Sequence, residues 1–75
     1  MDYKQLSGII ANQLGIDAST ITLESRFRED LKADSLDVAE LIIEWEETFN
    51  IEISDEDIAK IITVGDIVKY IEEHK

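Results

Sequence analysis

The sequence predicts an all-α fold: a small four-helix bundle whose third helix is short, with a long loop between helices I and II. Three observations carry that expectation. The chain has 75 residues, which suits one small domain over residues 1–75. It has no cysteine for a disulfide framework, and its single histidine, His74, stands beside the last residue, so no zinc-ligand set is available. Its hydrophobic residues, 44% of the chain with no proline and three glycines, recur at helical spacing, so the core must come from packed helices.

Tyr3, Leu6, Ile9, Ile10 and Leu14 define helix I, from Tyr3 to Leu14. Asp2 is its expected N-cap, Gln5 stands at the reciprocal capping-box position, and Gly15 suits a left-handed stop. From Gly15 to about Asp34 the periodicity weakens. Ile16, Ile21, Leu23, Phe27 and Leu31 are scattered among polar residues and are expected to pin this connection across the bundle, with a helical turn near Glu24 to Arg28. Helix II is the strongest element. Val38, Leu41, Ile42, Trp45 and Phe49 form one stripe, and Leu36 to Phe49 contains neither glycine nor proline. Ser54 caps a short helix III from Asp55 to about Ile61. Thr63 caps helix IV, where Val64, Ile67, Val68 and Ile71 repeat the pattern and Lys69, His74 and Lys75 complement the dipole at its end.

The net charge is −11, from eighteen acids against seven bases. Nucleic acid is excluded as a partner, because phosphate binding needs a basic surface. A basic protein surface is the complementary partner, although for a generic acidic domain the favoured reading of charge alone is solubility. No apolar run spans a membrane, so membrane insertion is not expected. Met1 to Gln5 has no basic stretch leading into an apolar one, so the expectation is a cytoplasmic protein without a secretion signal.

On a wheel of about 100° per residue, helix II buries its apolar stripe and turns Glu40 and Glu47, flanked by Glu44 and Asp37, to the other side. Leu36 and Ile43 lie on that same outer side, two turns apart. Single exposed apolar residues are ordinary, and the long loop could cover these two. A pair ringed by carboxylates also makes a docking strip, in which the acids steer and the apolar pair supplies contact area.

Asp34-Ser35-Leu36-Asp37 joins the long loop to helix II. Asp34 is the natural N-cap and places Ser35 in the first turn, where the helix dipole and unpaired N–H groups favour an attached anion. Most serines at such positions only cap. Catalysis is a poor reading, since a nucleophilic serine needs a neighbouring base and an oxyanion hole, and neither a nearby histidine nor a G-x-S-x-G elbow is present. A bundle this small offers no pocket for paired carboxylates, and Asp30, Asp34 and Asp37 do not match a calcium loop, so no catalytic or metal-binding residue is expected.

The stretch from Glu29 through Asp34-Ser35-Leu36 to Leu41 resembles the signature of bacterial type II acyl carrier proteins. The likeness continues through Glu46 to Phe49, Ile51 to Asp55 and Ile61 to Asp66, and includes Gln13-Leu14-Gly15. The resemblance implies that Ser35 is the attachment point of 4′-phosphopantetheine, transferred from coenzyme A. The arm's thiol would then hold growing acyl chains for fatty acid biosynthesis enzymes. It implies a monomer that is a carrier and not an enzyme, served by a phosphopantetheinyl transferase (holo-carrier synthase), a malonyl transferase and ketoacyl synthases with basic patches. Asp34, Leu36, Asp37, Glu40, Ile43, Glu46, Glu47, Ile53 and Asp55 match the family's docking positions. Small shifts of Leu41, Ile53, Ile58 and Ile61, otherwise simple packing residues, would open a space for the acyl chain. Four positions depart from the pattern. Trp45 replaces a smaller aliphatic residue and shortens such a space, Lys32 replaces a frequent glycine, Ser54 a frequent proline, and Ala59 a frequent acid. Two other readings stand beside this one: a carrier of a polyketide, nonribosomal peptide or specialised lipid pathway, and an acidic interaction module with an unmodified Ser35.

Overall fold

The structure, a computed structural model, describes residues 2–74. Those residues form four helices and no strand: α1 (Tyr3–Leu14), α2 (Ser35–Phe49), α3 (Asp55–Ile58) and α4 (Val64–His74), with a 3-10 turn at Ala18–Thr20. No helix among them is long and apolar enough to cross a membrane. The C-terminal residue Lys75, expected to complement the end of α4, lies outside the described residues.

The bounds of α1 follow its caps. Asp2 accepts a hydrogen bond from the Lys4 amide, and Gly15 ends the helix at φ 67°, a conformation open to glycine at little cost. The expected capping box does not form; the Asp2 bond goes to Lys4, one residue short of Gln5.

The connection differs from the expected one. Its helical turn lies at Ala18–Thr20, where the Asp17 carboxylate accepts from the Ser19 amide, and not near Glu24 to Arg28. That later stretch is anchored instead by a bridge between Arg26 and Thr63. Phe27 N–H donates to the Ile62 carbonyl at 3.0 Å, and Val64 N–H donates to the Ser25 carbonyl at 3.0 Å. Backbone pairing to a distant segment satisfies the groups that a local helical turn would have used. Ile21, Phe27 and Leu31 are buried as expected and Ile16 half-buried, but Leu23 is 48% exposed.

The core is one cluster. Leu6 and Ile10 of α1, Leu41, Ile42 and Trp45 of α2, and Val64, Ile67 and Ile71 of α4 meet around Phe27 from the connection. Trp45 is 1% exposed and packs its ring against Phe27 at 5.6 Å and 56°. Its indole N–H has no hydrogen-bond partner among the described residues, a cost of about 1–3 kcal/mol that the burial of the ring must outweigh.

Asn50 closes α2 in the left-handed conformation at φ 54°. Glu46 then organises the chain beyond it, since its carbonyl accepts from Ile51 N–H at 3.2 Å and its carboxylate from Ile53 N–H at 2.9 Å. Ser54 caps α3 as expected, but α3 ends at Ile58, three residues before Ile61. Lys60 and Ile61 bond three residues back, to Asp57 and Ile58, so the helix tightens into turns and hands over to α4.

Candidate functional site

Ser35 is the first residue of α2 and its side chain is exposed. The start is set by a reciprocal cap: Asp34 Oδ1 accepts from Asp37 N–H at 2.8 Å, and Asp37 Oδ2 accepts from Asp34 N–H at 3.2 Å. The Val38 amide donates to the Asp34 carbonyl. The amides of Ser35 and Leu36 have no partner among the described residues and open to the outside, as the first amides of a helix do unless something covers them.

A tight turn from Arg26 to Ala33 delivers the chain to this point. Asp30 and Leu31 N–H groups both donate to the Arg26 carbonyl, and Ala33 N–H donates to that of Phe27 at 2.8 Å. Lys32 takes φ 61° to make the turn, the left-handed region that favours glycine. Arg26 pairs with Glu29 and Asp30, and its hydrogen bond to Asp30 holds that carboxyl below the usual carboxylate range. The same turn aims Arg28 at the helix start, where its Nη2 donates to Ser35 Oγ at 3.2 Å.

Beside Ser35 a groove of about 410 Å³ runs between the connection and α3. Phe27, Val38, Ile58, Ile61 and Ile62 line it together with the charged Arg26, Arg28 and Glu29. Of the residues expected to frame an acyl space, Ile58 and Ile61 border this opening, while Leu41 and Ile53 are packed in the core. Trp45 lies behind Phe27 and fills the interior beyond the groove.

The outer face of α2 carries Leu36, 70% exposed, and Ile43, 51% exposed, with Glu40 and Glu47 exposed between and beyond them. Asp34 and Asp55 are exposed and Asp37 is half-buried in its cap. Of the nine expected docking positions, Asp55 stands on α3, and Glu46 and Ile53 are turned toward the chain itself. Ile53 is 6% exposed, because the Glu46 bond folds its backbone inward, and its side chain packs in the core. Glu46 is half-buried and commits a carboxylate oxygen to that same bond. Two residues that the sequence does not single out also stand at this candidate site: Arg28, whose contact with Ser35 depends on a loop conformation, and Ile62, 59% exposed and lining the groove, for which the adjacent Ile61-Ile62 pair is the available signal.

A family profile described as a phosphopantetheine attachment site matches residues 4–71. The chain is 55% identical to the acyl carrier protein of Helicobacter pylori (strain J99) over 73 residues, which is 97% of this chain and 94% of that one. It is 53% identical to the acyl carrier protein of Helicobacter acinonychis over the same shares. A solved structure of the acyl carrier protein from Enterococcus faecalis superposes with a TM-score of 0.81 at 42% identity, covering 95% of this chain and 90% of that chain.

Proposed function

The chain belongs to the acyl carrier proteins, carriers and not catalysts, and from that membership we propose that Ser35 is the residue that bears their 4′-phosphopantetheine arm. One observation carries the assignment: within Asp34-Ser35-Leu36 an exposed hydroxyl stands at a helix start whose first two amides are uncovered. The residues fit the group. A phosphodiester at Ser35 would face free N–H donors and the positive end of the α2 dipole, with open solvent for the rest of the arm. When bound, the arm supplies the thiol on which acyl chains for fatty acid synthesis ride, a group that this cysteine-free chain does not itself provide.

The chain's own residues do the rest. The Asp34–Asp37 cap fixes where Ser35 points. Leu36 and Ile43 offer contact area to a partner, and Asp34, Glu40, Glu47 and Asp55 offer charge that guides a basic surface toward the hydroxyl. The groove walled by Val38, Ile58, Ile61 and Ile62 gives the near part of an acyl chain an apolar bed, with Phe27, backed by Trp45, in its lining. We read residues 1–75 as a single carrier domain acting as a monomer in the cytoplasm. Its partners are a phosphopantetheinyl transferase, a malonyl transferase and ketoacyl synthases bearing basic patches.

The test is intact mass after incubation with coenzyme A and a phosphopantetheinyl transferase. The native chain gains one phosphopantetheine and Ser35→Ala gains none. A native chain that stays at its original mass overturns the assignment and leaves an acidic interaction module.

A further inference from the structure

We propose that Arg28 is a phosphate-binding residue, whose guanidinium pairs with the phosphodiester that attachment at Ser35 creates and leans the start of the arm over the groove beside α3. The inference rests on the attachment reading above.

A phosphodiester adds an anion to a chain already at −11, within one helical turn of the Asp34 and Asp37 carboxylates. The free amides of Ser35 and Leu36 offset part of that repulsion, but they point along the helix axis and choose no side. Arg28 does choose one. Its Nη2 already donates to Ser35 Oγ at 3.2 Å from the loop side, and among the described residues it makes no ion pair. The nearby Glu29 and Asp30 are engaged by Arg26 instead. Guanidinium can span two phosphate oxygens at once, a planar match that an ammonium lacks. Because Arg28 also lines the groove together with Val38, Ile58 and Ile62, an arm held by it starts toward those apolar side chains. Lys32, the other cation near the helix start, borders a separate hollow beside Leu14 and Ile16 and serves as a control of equal charge.

The experiment uses apo and phosphopantetheine-loaded forms of the wild type, Arg28→Gln, Arg28→Lys and Lys32→Gln, with loading read by intact mass. At low salt, loading lowers the melting temperature of Arg28→Gln by about 2–4 °C more than that of the wild type. Arg28→Lys recovers part of the difference, Lys32→Gln follows the wild type, and about 1 M salt removes the difference. The Arg28 side-chain N–H resonance of the wild type also moves on loading. Equal loading effects in wild type and Arg28→Gln, an unmoved Arg28 resonance, or equal behaviour of Arg28→Gln and Lys32→Gln would each overturn the phosphate contact while leaving the attachment intact. A wild-type mass that never increases overturns the attachment, and the contact with it.

Discussion

Asp34 with Asp37 at the start of α2, and Thr63 with Asp66 at the start of α4, form the same reciprocal cap, yet the two helix starts face different surroundings. In α4 the first three amides are all consumed: Val64 N–H by the Ser25 carbonyl, Gly65 N–H by the Leu23 carbonyl at 2.8 Å, and Asp66 N–H by Thr63 Oγ1. In α2 the cap satisfies Asp37 and leaves Ser35 and Leu36 uncovered. Local sequence makes both caps; what differs is the connection, whose carbonyls at Leu23 and Ser25 cover the amides of one start and none of the other. An open helix start in a small domain is therefore a product of where the long loop docks, and it is the place where an added anion costs least.

The contrast is broken most severely at Gly65. A Cβ there would sit 3.0 Å from the Leu23 carbonyl oxygen, a backbone atom that cannot step aside alone. Gly65→Val is expected to cost about 2 kcal/mol in urea unfolding, whereas Leu36→Ala at the matching position of α2 changes stability by no more than about 0.5 kcal/mol. Equal losses at the two sites would contradict the closed and open assignments.

Asp66 comes next. Hydrogen bonds to its carboxylate, first from the Thr63 amide and also from that of Ile62, hold its carboxyl below the usual carboxylate range. A depressed folded-state pKa contributes stability that is complete above the unfolded value of about 4 and is lost as pH falls through the folded value. Asp66→Ala is expected to cost about 1–2 kcal/mol at neutral pH, with the gap from wild type closing as the solution is acidified below about pH 4. A gap that widens in acid would reverse the sign.

On the exposed side, Glu40→Lys or Glu47→Lys should slow reaction with loading and elongating enzymes about fivefold at low salt and leave the melting curve unchanged. Unaltered kinetics with several partners would remove the docking role. The smallest effect concerns the turn that feeds the open start. Lys32→Gly relieves a left-handed lysine and is expected to raise stability by about 0.5 kcal/mol, read by chemical denaturation.

Much of this architecture is written in short-range signals. Asp2 and Gly15 bound α1, Asp34 starts α2, Thr63 starts α4, and the apolar spacing within each helix identifies Leu6, Ile10, Leu41, Trp45 and Ile67 as core. The signature around Ser35 points to the proposed attachment site from sequence alone. Features that depend on distant chain segments were not legible. The Arg26–Thr63 bridge replaces a helical turn by pairing across more than thirty positions, and Ile53 turns inward because Glu46 holds its amide. Arg28 reaches Ser35 because Lys32 adopts a backbone conformation that periodicity does not encode. The end of α3 is not legible because Ile58 and Ile61 sit at helical spacing while the backbone between them has already tightened.

The Phe27–Trp45 contact has an optical consequence. Trp45 is the chain's sole tryptophan, sealed from water and one ring away from the groove. Its emission is therefore expected to sense changes at Phe27, which lines that groove. If the groove takes cargo as proposed, cargo pressed on Phe27 is expected to shift that emission and cargo left in solvent is not, a difference that fluorescence of the unmodified sequence would read.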